Sequence, residues 1–313
     1  MTAIAILHPT NLLGKELRET LEARPTRFTD VRLLSTKKDE IGTLTEVGGA
    51  AAFVQAYQPD SLEGVPVAFL CGPIADNRPV LEKLPPETTA IVLSVDATLD
   101  DGVPVVAGVN PDAAVPGRGL LSPHPAVVLL AHLLHPLRDL DPQEAVATLV
   151  QPASVRDDAG IEELFEQTRR IVAMTQRAPS PVFGHQLSFN LLPTPLPADP
   201  IAAELQAVLG GPSPVALQIL QGGIFHSLSA SLYVRLGGNP SLQAVRKALS
   251  ENPHLEAADR PRHLGPIEAA ASDKVIFGTV RKDDTGGFWL WAVMDNLTRG
   301  GALNALEIAE MVA

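Results

Sequence analysis

Apolar residues come in short unbroken runs through the first third of the chain. Ala3 to Leu7 is one; after a turn, leucines at 12, 13, 17 and 21 recur at helical spacing, so the chain opens with a β-turn-α unit. Val31 to Ser35, Val65 to Cys71 and Ala90 to Val95 are further apolar runs, with a helix expected over Asp76 to Leu84. Such strands, separated by helices, predict a parallel sheet covered on both faces. Gly119 to Leu137, GLLSPHPAVVLLAHLLHPL, then runs from a small polar turn into a helix that is apolar nearly all round and therefore buried. Ser122 suits its N-cap. The N–H groups and positive dipole end of such a helix stabilise a thiolate or an oxyanion, so this first turn is an address for chemistry. It holds Ser122, Pro123, His124 and Pro125, and no cysteine.

Beyond that helix the strands lengthen. Ala145 to Ala153 reads as a strand, and Asp158 to Met174 as a helix with Ile161, Leu164, Phe165, Thr168 and Ile171 on one stripe. A proline-rich loop leads to a short helix over Ile201 to Leu209, and Val215 to Arg235 reads as one or two strands. Ser241 to Ser250 is a helix, Lys274 to Arg281 and Gly287 to Asp295 are facing strands, and Thr298 to Val312 is the last helix.

A length of 313 residues implies two domains. No apolar run reaches the length of a membrane span, and MTAIAILHPTN lacks the basic region of a secretory signal, so the chain reads as cytoplasmic. The single cysteine, Cys71, excludes intrachain disulfides and cysteine-rich metal sites. A net charge of −12 argues against nucleic acid or an anionic membrane as partner.

Several stretches carry one resemblance. Val106 to Asp112, VAGVNPD, precedes Ser122-Pro123-His124-Pro125-Ala126-Val127; Gln151 to Leu164 reads QPASVRDDAGIEEL; His185 to Pro193 reads HQLSFNLLP; Trp289 to Ala305 reads WLWAVMDNLTRGGALNA. In this order they resemble the aspartate-semialdehyde dehydrogenase family. The resemblance implies an α/β fold with a Rossmann-type doubly wound parallel sheet, and an α+β dimerisation domain with a mostly antiparallel sheet. Its boundaries would be 1–122 with 296–313 for the NAD(P)-binding-like domain and 123–295 for the second, assembled as a homodimer.

The same alignment assigns site positions. Gln151 falls on the active-site glutamine, His226 on the catalytic histidine, and Asn296 on the asparagine that binds the nicotinamide carboxamide. Thr10, Asn11, Leu12, Leu13 and Gly14 fall in the phosphate loop, and Ser35 and Thr36 at the strand end that holds the adenosine 2′-phosphate. Departures sit on the same positions. Pro125 stands where the family has its nucleophilic cysteine, Ile219 where it has an arginine, and Val155 and Asp157 where it has glycines; of the loop glycines only Gly14 remains. Leu93 to Leu99 lacks the expected arginine, Asp199 and Pro200 replace a basic residue, and Lys37 and Lys38 offer point charges rather than a bidentate fork. The expectation is a catalytically inactive relative acting as a dimeric binding or interaction protein, with NADP affinity weak or lost and no metal. Two alternatives stay open: an NADP-dependent oxidoreductase on a semialdehyde or acyl phosphate, with Cys71, Ser122 or His124 as nucleophile, and a heteromer with an active semialdehyde dehydrogenase. Each position also has a bland role: Gly14 in a strand-helix corner, Cys71 as a buried strand thiol, Asn296 as a cap for the last helix.

Overall fold

A computed structural model describes residues 2–175, 178–194, 198–211 and 215–313. In chain order the elements are β1 (Thr2–Leu7), α1 (Leu12–Ala23), β2 (Phe28–Ser35), β3 (Leu44–Val47), β4 (Ala50–Phe53), β5 (Gln55–Ala56), β6 (Val67–Leu70), α2 (Ile74–Leu81), β7 (Thr89–Val92), β8 (Val103–Pro104), β9 (Gly119–Leu121) and α3 (Pro125–Leu134). Then follow β10 (Pro142–Gln151), α4 (Asp157–Val172), β11 (Leu191–Pro193), α5 (Ala198–Leu209), β12 (Val215–Gly222), β13 (Leu228–Leu236), α6 (Leu242–Ser250), β14 (Leu255–Ala257), β15 (Val275–Lys282), β16 (Phe288–Met294) and α7 (Asn304–Val312). Two compact units result, Met1–Val128 with Gly300–Ala313, and Leu129–Arg299.

The first unit is built on a seven-stranded sheet in the order β5-β2-β1-β6-β7-β9-β8, parallel throughout. Strand alternation explains its unbroken apolar runs, because both faces are covered. Ile4 and Ile6 pack with Leu17 of α1 and with Ala305, Leu306 and Ile308 of α7 on one side. Ala5 and Leu7 pack with Ile74 and Val80 of α2 on the other. The β3–β4 hairpin, which lies outside the expected elements, turns on Gly48 and Gly49, both at positive φ (59° and 73°), as a tight two-residue hairpin requires.

The second unit is a mixed seven-stranded sheet in the order β11-β12-β10-β13-β16-β15-β14. Only β10–β12 and β14–β15 are parallel among its described pairings. One face is apolar and buried: Ala147 sits opposite Leu232, and Leu232 opposite Leu290. Val215 to Arg235 resolves into two strands, β12 and β13. The proline-rich loop ahead of α5 falls partly on residues 195–197, outside those described. The last helix begins as a π-helical stretch over Thr298–Leu303, where Gly300 and Gly301 are poor α-formers, and becomes α-helical only at Asn304.

Candidate active site

Dinucleotide sites of parallel α/β sheets lie at the carboxyl ends of the strands, at the first β-to-α turn. In this chain that turn is His8-Pro9-Thr10-Asn11, ahead of Leu12, Leu13 and Gly14 at the start of α1. Asn11 is the N-cap, its side-chain oxygen accepting the Gly14 N–H at 2.7 Å. A donor that would face a phosphate is thereby bonded within the protein. Gly14 is required by packing, since a Cβ there would stand 2.8 Å from the His8 carbonyl oxygen. Thr10, Leu12 and Leu13 are half-buried.

His8 itself is the surprise of this loop. It is buried, holds the left-handed backbone conformation (φ 54°), and turns its ring toward the end of β2. Its Nδ1 lies 3.2 Å from Ser35 Oγ and 3.3 Å from Glu40 Oε2, and its Nε2 lies 3.3 Å from Thr36 Oγ1. Ser35 Oγ donates to Glu40 Oε2 at 2.7 Å. Burial pushes the Glu40 carboxyl up, but the hydrogen bonds from His8 and Ser35 and the charges of His8 and Lys37 outweigh it, leaving the group below its ordinary value. Lys37 pairs with Asp76 of α2 at 3.1 Å, so a strand end and a helix start are tied by an ion pair. Ser35 and Thr36 thus have protein partners, and nothing in the sequence signalled that Glu40 would be one of them.

The first turn of α3 is likewise self-satisfied. His124, and not Ser122, meets the helix start: its Nδ1 accepts the Ala126 N–H at 3.1 Å and its carbonyl accepts the Val127 N–H at 2.7 Å. Ser122 lies two residues ahead of that position, and its hydroxyl instead accepts from Asn304 Nδ2 at 2.9 Å. Asn304, fully buried, also takes the Ala107 N–H at 2.9 Å and donates to the Val105 carbonyl at 3.0 Å. Asn110 of the VAGVNPD stretch is used locally, its side chain bridging the Val106 N–H and the Pro104 carbonyl. Burial pushes the His124 imidazole down to about 4. Cys71 is fully buried just past β6, its backbone held by Leu7 and Asn77.

In the second unit three loops converge. The segment after Gln151 bonds to the one holding His226, through Ala153 N–H to the Ile224 carbonyl at 2.7 Å and Ser154 N–H to the Phe225 carbonyl at 3.1 Å. Asn296 joins both: its side chain bonds Ser154 Oγ at 3.0 Å and accepts the Ser227 N–H at 3.0 Å. Asn296 is therefore not the cap of the last helix; Asp295 receives the Leu297 and Thr298 N–H groups at 2.9 and 3.1 Å. Gln151 is buried, and its carbonyl accepts from Gln221 at 3.0 Å. His226 is exposed, while Ile219 is buried. Asp157 keeps a glycine-type backbone (φ 59°, ψ −162°), a conformation that costs a residue with a Cβ about 1–3 kcal/mol. Gly160 is irreplaceable on space alone, since a Cβ would lie 2.3 Å from the Ala153 carbonyl oxygen.

No protein-family model matches the chain. Full-length relatives do. It is 26% identical to aspartate-semialdehyde dehydrogenase of Bacillus subtilis over 337 residues, 98% of this chain and 96% of that one. Over its full length the chain is similar to aspartate-semialdehyde dehydrogenases. It is 29% identical to the USG-1 protein homolog of Azotobacter vinelandii over 330 residues, covering 99% of this chain and 97% of that protein. Among solved structures, a probable aspartate-semialdehyde dehydrogenase from Pseudomonas aeruginosa superimposes with a TM-score of 0.90 at 24% identity, covering 99% of this chain and 98% of the other. The Candida albicans aspartate semialdehyde dehydrogenase solved with NADP gives 0.77 at 15% identity, covering 99% and 98%. The fold is thus shared from end to end.

Proposed function

We propose that this chain is a catalytically inactive member of the family, retained as a dimeric binding or interaction protein. The observation that carries the reading is the first turn of α3. The resemblance in sequence sets Pro125 on the family's nucleophile position, and the adjacent N–H groups of Ala126 and Val127 are bonded to His124. A proline has no nucleophile, and bonded N–H groups are not available to a thiolate or an oxyanion. Substitute nucleophiles are poorly supported: Cys71 is fully buried, Ser122 is buried against Asn304, and His124 engages its own helix.

Loss or weakening of NADP binding follows from the other strand end. His8 and Asn11 occupy the turn, and Lys37 is engaged by Asp76. Gln151, His226 and Asn296 remain as relics, with the Asn296 side chain serving to join loops. Dimerisation through the second unit is supported by the face of its sheet opposite the buried one. There Ala216, Val146, Tyr233 and Trp289 stand in register across four strands, with Val146 and Trp289 about two-fifths exposed. Such an apolar row is covered economically by its own symmetry mate. Calorimetric titration with NADP tests the cofactor claim; a dissociation constant in the low micromolar range (about 10⁻⁶ M) overturns it.

A further inference from the structure

The carboxylate that His8 and Ser35 gather at the end of β2 has a consequence for which dinucleotide this fold can accept. In parallel α/β sheets this strand end meets the adenosine ribose: an acidic side chain there hydrogen-bonds free ribose hydroxyls, whereas a cationic fork accommodates a 2′-phosphate. In this chain Glu40 is bonded to Ser35 Oγ at 2.7 Å and lies 3.3 Å from His8 Nδ1, so its position is fixed by two neighbours. Its side chain remains 14% exposed. Lys37 on the same segment is committed to an ion pair with Asp76 at 3.1 Å. A phosphate entering here would bring a charge of about −1.5 to −2 against a fixed carboxylate, with the serine hydroxyl already donated.

We propose that Glu40 is a specificity-determining residue that excludes 2′-phosphorylated nucleotides, so that the dinucleotide affinity left in this chain favours NAD, with its unphosphorylated ribose, over NADP. The inference rests on reading the β1–α1 end of the first unit as the dinucleotide seat, as the family fold implies; it is independent of whether the chain turns over substrate.

The experiment compares NAD and NADP dissociation constants, by calorimetry or by ligand-observed NMR where binding is weak, for the full-length protein and for Glu40→Gln, Glu40→Ala and Asp39→Asn. Glu40→Gln keeps the shape and most of the hydrogen bonding while removing the charge. Melting curves confirm that each variant folds, and Glu40→Ala carries the test if the glutamine variant does not. The unaltered protein should bind NAD at least tenfold more tightly than NADP. Either Glu40 variant should shift that ratio toward NADP by tenfold or more, while Asp39→Asn, which removes a neighbouring exposed charge, leaves it in place. An unaltered protein that prefers NADP, a ratio unmoved by the Glu40 variants, a ratio moved equally by Asp39→Asn, or no binding of either nucleotide to any variant would overturn the inference. Turnover of a semialdehyde with NAD would instead overturn the inactive reading and leave Glu40's role standing.

Discussion

Acid should unfold this protein through the start of α3. The Ala126 N–H donates to Nδ1 of His124, so the ring carries its proton on Nε2 and is neutral. Protonating Nδ1 removes that acceptor, places a cation at the positive end of a helix dipole, and does so in a buried site. The imidazole accordingly titrates at about 4 in the folded protein, against an ordinary value near 6.5. Between those values the unfolded chain binds more protons than the folded one, so stability falls as the pH falls. The contribution is fully present above about pH 6.5 and lost progressively toward pH 4, amounting to about 3 kcal/mol at about 1.4 kcal/mol per unit. On the same helix His132 is pushed down as well, by burial and by the charges of Arg299 and His254, and adds in the same direction. The perturbation is His124→Asn, which keeps a capping oxygen and removes the titration. Urea unfolding at pH 7.5, 6.5, 5.5 and 4.5 for both proteins gives the difference in slope, in which His132 and the carboxylates cancel. The asparagine variant should lose less stability than the parent between pH 6.5 and 4.5, by about 2 kcal/mol. Parallel curves for the two proteins would refute the reasoning.

Asn304→Ala should lower stability by about 3 kcal/mol in urea unfolding, because it strands the Ala107 N–H and the Val105 carbonyl in a dry interior. Gly160→Ala should cost more than about 3 kcal/mol or abolish folding, since backbone must move to admit a methyl group 2.3 Å from a carbonyl oxygen. Light scattering at micromolar concentration should give twice the 33.1 kDa chain mass, and should do so at high salt too, because apolar burial is not screened; a monomer mass would rule out pairing through the Val146, Tyr233 and Trp289 row.

What the sequence made legible follows from how each feature is encoded. Unbroken apolar runs such as Ala3–Leu7 identify a doubly covered parallel strand because both faces of a residue alternation are apolar, and β1 is that strand. Helix α3 was visible for the same reason, its residues being apolar all round. Its cap was misassigned to Ser122 because capping preference ranks serine high, whereas the distance to the helix is set by Pro123 and by the reach of an imidazole, which composition does not encode. Similarly, Asn296 and Asp295 are adjacent good caps, and only the register of the turn decides that Asp295 takes the helix while Asn296 joins two loops. The Glu40 network was out of reach altogether. It depends on a left-handed backbone at His8, which turns the ring toward a strand 27 residues away in sequence.

The central claim is that chemistry has left the start of α3, and it is tested most directly by phosphate-dependent reduction of NADP, and separately of NAD, with aspartate semialdehyde and the purified full-length protein. The account predicts no rate above the no-enzyme control with either cofactor, and none from Pro125→Cys alone, since Ile219, which the resemblance sets on a substrate arginine, offers no charge and His124 still holds the neighbouring N–H groups. Turnover by the unaltered protein, above all turnover abolished by Cys71→Ser, would contradict it.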